Sequence, residues 1–152
     1  MTLTLESDGV RADLLGRGVA YLLAGEAARA ERLLRQAVRL MPGWAVAHAY
    51  LGAALLARGK KRAARRALEQ AVRLDPADFV VRTQRAKYFL KEGAYREAFI
   101  ELAVALWKAP DLGARAQVYG LLRQILRVQA DLWAEEGAQG LYADAGAHCP
   151  RR

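Results

Sequence analysis

The stretch LLRQAVRLMP, residues 33–42, returns as ALEQAVRLDP, residues 67–76, identical at seven of ten positions and displaced by 34 residues. Self-similarity at a period of roughly 20–50 residues marks an array of one supersecondary unit, whose neighbours must stack to bury a shared core. The same displacement aligns Pro42, Pro76 and Pro110, and likewise Gly25, Gly59 and Gly93. It also aligns Ala30, Ala64 and Ala98, then Leu34, Leu68 and Leu102, then Ala37, Ala71 and Ala105. Three units follow. Each glycine comes after a run of helix-period apolar residues and marks a helix end with a tight turn, and each proline ends the second helix of its unit.

The middle unit places His48, Leu51, Gly52, Leu55, Ala64, Leu68, Ala71 and Pro76 at fixed intervals. The first has Leu14, Arg17, Gly18, Tyr21, Ala30, Leu34, Ala37 and Pro42, and the third Arg82, Arg85, Ala86, Phe89, Ala98, Leu102, Ala105 and Pro110. In these residues the chain resembles the tetratricopeptide repeat (TPR) family, whose unit of this length is a helix, a turn and an antiparallel helix. His48 stands where that family usually has a large aromatic, and Arg17 and Arg85 where it usually packs a leucine. The resemblance implies an all-α fold, a right-handed helical-repeat solenoid of three antiparallel helix pairs. The pattern predicts helices at 11–24 with 27–41, 45–58 with 61–75, and 79–92 with 95–109. The repeats then run over about 11–44, 45–78 and 79–112. Apolar residues from Ala114 through Val118, Leu121, Leu122, Ile125, Leu126, Val128, Leu132 and Trp133 continue as a C-terminal capping helix, about 113–136, because an exposed end of the stack needs a cover. Residues 1–10 are expected to form an N-terminal extension and 137–152, small, polar and glycine-rich, a flexible tail.

Composition narrows the function. The single cysteine, Cys149, allows no intrachain disulfide and no thiolate cluster for zinc. The opening MTLTLESDGV lacks the basic and apolar regions of a secretory signal, and the longest mostly apolar stretch, residues 44–57, is too short to span a bilayer. A cytoplasmic location is the expectation. His48 and His148 are the only histidines, and there is no Gly-rich phosphate loop, HExxH or paired-cysteine motif. The reading is of a chain without catalytic function, cofactor or metal, with His48 as a packing residue.

The family resemblance implies a concave surface lined by the first helix of each pair. Facing it are Leu15, Val19, Leu22 and Leu23, then Val46, Ala49, Tyr50, Ala53 and Leu56, then Val80, Thr83, Gln84, Lys87, Leu90 and Lys91. One end of that groove is apolar and the other carries charge. Capture of a chaperone's C-terminal carboxylate, a well-known use of the family, needs converging cationic donors, and the corresponding positions Leu15, Val19, Tyr50, Val80 and Gln84 supply none. An apolar or amphipathic peptide or helix of a partner protein fits better, in a scaffold, adaptor or small chaperone. Many of these residues could equally pack between neighbouring pairs. A homo-oligomer whose groove is filled by its own kind is a further reading.

The formal charge of +8 suits acidic partners. Arg32, Arg35 and Arg39 recur at helical spacing, and with Arg58, Lys60, Lys61, Arg62, Arg65 and Arg66 they make a convex basic patch concentrated in the first two units. Nucleic acid or acidic lipid is the alternative partner for that patch, although the stripes lack the interleaved aromatics on which single-stranded bases stack. Arg85 is expected to find Glu101 or Asp78, and Arg17 to pair locally or reach solvent.

Overall fold

The computed structural model describes residues 3–146, with side-chain positions from Gly9 to Leu132 and at Ala134. Through them run α1 (Leu3–Leu23), α2 (Ala27–Leu40), α3 (Ala45–Ala57), α4 (Lys61–Leu74), α5 (Phe79–Glu92), α6 (Tyr95–Lys108) and α7 (Leu112–Gly146). Each pair reverses through a glycine in the left-handed region, with φ of 80° at Gly25 and 74° at both Gly59 and Gly93. The residue after each glycine closes the turn: the N–H of Glu26 donates to the Tyr21 carbonyl at 2.8 Å, that of Lys60 to Leu55 at 2.9 Å and that of Ala94 to Phe89 at 2.9 Å. Such a closure satisfies helix-end carbonyls, and glycine alone adopts it without a steric penalty.

The helices form two layers. α1, α3, α5 and α7 touch in sequence, whereas α2, α4 and α6 contact only first helices. A stack whose first helices touch while its second helices splay apart curves towards the first, so the first helices line the inner surface. The core runs between the layers as three linked clusters: Ala30, Leu34 and Ala54; Ala49, Leu55, Leu68 and Val81 among others; and Ala86, Leu102, Val118 and Ile125 among others.

What sets the spacing inside each pair is one small residue against one leucine. A Cβ built on Gly18 would lie 2.8 Å from Cγ of Leu34, and one on Gly52 would lie 2.7 Å from Cγ of Leu68. Leu34 and Leu68 are themselves buried and cannot retreat. In the third unit Ala86 takes the corresponding place, in one cluster with Leu102. Gly120, at the same register in α7, meets nothing within 4 Å.

The two ends differ from expectation. Residues 3–10 are the first turns of α1 rather than an extension, and α7 continues to Gly146 instead of ending near Gly137. No proline interrupts 111–149, and the register position of the turn glycines is filled by Arg127, so nothing there turns the chain back. Of the expected tail, 147–152 lies outside the described residues. α7 does cover the third pair, packing on α6 and α5.

Gly52→Ala should therefore destabilise the chain by about 1–3 kcal/mol through overpacking. Gly120→Ala, the same change at the same register in open space, should be neutral or stabilise by up to about 1 kcal/mol through helix propensity. Chemical denaturation of the two variants checks both signs.

Candidate functional site

The inner layer sorts the predicted groove residues into two sets. Ala49 and Leu56 belong to the central core cluster, Gln84 is buried, and Thr83 is buried with its hydroxyl donating to the Phe79 carbonyl at 2.8 Å. These four serve packing between pairs. Leu15, Leu22 and Tyr50 are partly buried against Ala30, Leu34 and Ala54. Burial raises the Tyr50 hydroxyl pKa, with the nearby Asp78 carboxylate adding to it. Val19, Val46, Ala53, Val80, Lys87 and Leu90 are half-buried, while Leu23 and Lys91 are exposed.

At the C-terminal end of this layer lies an open cleft of about 350 Å³, lined by Lys87, Leu90 and Lys91 of α5, Tyr95 of α6, and Leu121, Gln124 and Val128 of α7. Lys91 leans back to the Leu56 carbonyl at 3.4 Å. Burial lowers the Lys87 pKa, and its ammonium meets no carboxylate among the described residues. The charged end expected from the sequence thus gains walls from α6 and α7. Sequence reasoning could not supply those, because they depend on where the last helix lands.

The basic patch is less charged than its composition suggests. Lys60 pairs with Glu31 at 3.0 Å, Lys61 with Glu92 at 2.8 Å and Arg65 with Glu69 at 2.8 Å. Arg62 and Arg66 are exposed and have no acidic partner among the described residues. Glu31 is the electrostatic centre of this region. It sits on α2 with its side chain 5% exposed and also binds Arg35 at 2.7 Å and Arg58, at the end of α3, at 2.6 Å. It thereby ties the second helix of one unit to the first helix of the next. A corresponding role inside the third pair falls to Glu101, which accepts from Arg82 at 2.8 Å and Arg85 at 2.9 Å. Arg85 finds its predicted partner, and Arg17 reaches Asp13 at 3.3 Å on the exposed flank. His48 bonds the Pro42 carbonyl through Nε2 at 2.9 Å.

A family model of the tetratricopeptide repeat matches residues 21–88. Over residues 21–88 the chain reads as tetratricopeptide repeats. The TPR architecture extends to solved structures. PilF of Pseudomonas aeruginosa superposes with a TM-score of 0.71 at 24% identity over 86% of this chain and 59% of that one. This chain therefore spans less than two thirds of the PilF chain. The first TPR of Spaghetti (RPAP3), bound to the HSP90 peptide SRMEEVD, gives a TM-score of 0.63 at 18% identity over 79% and 93% of the two chains. The Yersinia enterocolitica type III secretion chaperone SycD, in complex with a peptide of the translocator YopD, gives 0.62 at 18% identity over 85% and 97%. At these identities the likeness is one of fold. No curated protein matches the chain. No helix among the described residues is long and apolar enough to cross a membrane.

Three cations around one carboxylate make the first TPR junction sensitive to acid. Burial pushes the Glu31 carboxyl up, but hydrogen bonds from Arg58, Lys60 and Arg35 outweigh it and lower the pKa from 4.5 to about 2. A depressed carboxyl contributes stability that is present above its unfolded pKa and lost as pH falls through the folded one. That contribution, on the order of 3 kcal/mol, should fade between pH 4.5 and about 2. Glu31→Gln should lower the melting temperature at neutral pH and flatten the acid limb of the stability profile, both read by thermal melts across that window.

Proposed function

We propose that the chain is a non-catalytic, cytoplasmic protein-interaction module that holds an apolar or amphipathic segment of a partner protein along its inner helix layer, as a scaffold, adaptor or small chaperone. The observation that carries this reading is the inner surface itself. Half-buried Val46, Tyr50 and Ala53 lead along α3 towards a cleft that ends in Lys87 and Lys91. A segment with an apolar stretch followed by a carboxylate matches both parts. The apolar side chains would lose water against Tyr50 and Ala53. The carboxylate would give Lys87 the counter-charge that the described residues do not provide, relieving a half-buried cation. TPR structures that hold an HSP90 peptide and a YopD peptide support a peptide-holding role for the fold.

The test is fluorescence anisotropy with a labelled peptide of leucines and valines ending in a glutamate. Ala53→Arg should weaken its binding about tenfold or more by filling the apolar part of the surface. Lys87→Ala should weaken the glutamate peptide but leave its glutamine counterpart unchanged. If neither variant alters binding of either peptide, the inner layer is not the site.

A further inference from the structure

The outer helices carry a second signal, visible only when the units are compared position by position. On α2 the exposed outer stripe is Arg32, Arg35 and Arg39; on α4 the same register holds Arg66, Glu69 and Arg73. On α6 it holds Ile100, Ala103 and Trp107. These remain exposed: Ile100 at 53% and Trp107 at 79%, with Phe99 beside them at 55%. The junctions between units change in the same way. Glu31 on α2 meets Arg58, and Lys61 on α4 meets Glu92, so the first two junctions are closed by charge. At the third junction, Phe99 takes the register of Glu31, and Leu126, 65% exposed, takes that of Arg58 and Glu92. Among the described residues no ion pair closes it. Instead a cleft of about 560 Å³ opens between α6 and α7, walled by Phe99, Leu122 and Leu126, floored by the buried Ile125 and edged by Arg96 and Gln129.

Solvated arginine is the default at these positions in this chain, and large apolar side chains left in water there cost free energy unless something covers them. We infer that the outer face of the third unit, together with the α6–α7 cleft, docks an amphipathic helix of a partner protein that carries acidic residues beside its apolar face. The recess argues for a helix, since a groove between two antiparallel helices receives side chains projecting at successive turns. A flat bilayer cannot fill a concave recess whose floor is buried. Charge argues for acidic flanks: Arg96 edges the cleft, Lys108 lies over the Trp107 ring at 4.5 Å, and the arginines of α4 continue the same outer face. The same charge argues against a second copy. A two-fold contact through this face would set one face edged by Arg96 and Lys108 against an identical one, between chains of charge +8 each.

The experiment uses the full chain and two labelled helical peptides with the same leucine face, one flanked by glutamates and the other by lysines. The glutamate peptide should bind about tenfold more tightly or better and weaken with added salt. Replacing Phe99, Ile100 and Trp107 together by Arg should weaken it about tenfold or more; α4 already carries arginine at all three positions, so the change has a precedent in this fold. Trp107→Arg alone, at a largely solvated side chain, and Leu126→Glu, the residue α5 has there, should each reduce affinity and keep the test decisive if the triple variant does not fold. In an Ala53→Arg background, where the inner layer is blocked, the glutamate peptide should still bind and Trp107→Arg should still weaken it, which separates failure here from failure of the inner-surface reading. The inference is overturned if neither peptide binds at low salt, if the two bind equally, or if the variants bind as the parent does. It is also overturned if phosphatidylserine vesicles, rather than the peptide, are released by the substitutions, or if sedimentation shows a dimer that Trp107→Arg dissociates.

Discussion

The close approach of two helices, set by a missing methyl group in the first two pairs and by the small Ala86 in the third, governs the geometry of the array. Where Gly18 faces Leu34 and Gly52 faces Leu68, there is no space for a Cβ. Each leucine is locked in place by its own burial, so the distance within a pair is fixed by the leucine and the absence opposite it. Because the next first helix packs on the same pair, that distance propagates along the stack, and the curvature of the inner surface follows. The width of the inner surface is therefore set in the core and only decorated by the residues that face it.

Charge does a different job at each junction. Glu31 gathers three cations from three positions and joins two units through one buried carboxylate, while Glu101 holds two arginines within one pair. A buried carboxylate is tolerable only when its oxygens are fully engaged, and both are. Several of the chain's cations are answered locally in this way, and the net charge of +8, which already counts those carboxylates, is carried by the other basic side chains. The third junction abandons the scheme for Phe99 and Leu126. Two neighbouring surfaces with opposite chemistries thus share one molecule: an inner layer ending in lysine and an outer face ending in aromatics.

Most of the architecture was legible from period and punctuation. The 34-residue displacement located the three pairs, and Gly25, Gly59 and Gly93 fixed their turns because only a left-handed residue closes such a turn. The ends were harder to read. Gly137 looked like a stop, but a glycine ends a helix only when the chain beyond it folds back, and here α7 runs on to Gly146. For the candidate groove the sequence assigned residues to the first helices but could not give their accessibility: Ala49, Leu56, Thr83 and Gln84 are buried between pairs. The apolar outer face of α6 escaped a reading that looked for charge on the outer helices. The signal was in the sequence all the same, as the change from Arg66 and Arg73 to Ile100 and Trp107 at fixed register.

Arg127 occupies the place where three earlier helices meet a glycine and reverse. An α-helix has no inherent length, and without a residue that favours the left-handed conformation it simply continues. The reversal is therefore decided at a hinge residue, not in the core: Gly120 still offers the small-residue seat for another leucine, but among the described residues no helix comes back to use it. An ancestor or engineered descendant could gain a fourth hairpin by changes near position 127 and in the helix that follows, leaving every contact of the first three pairs as it stands.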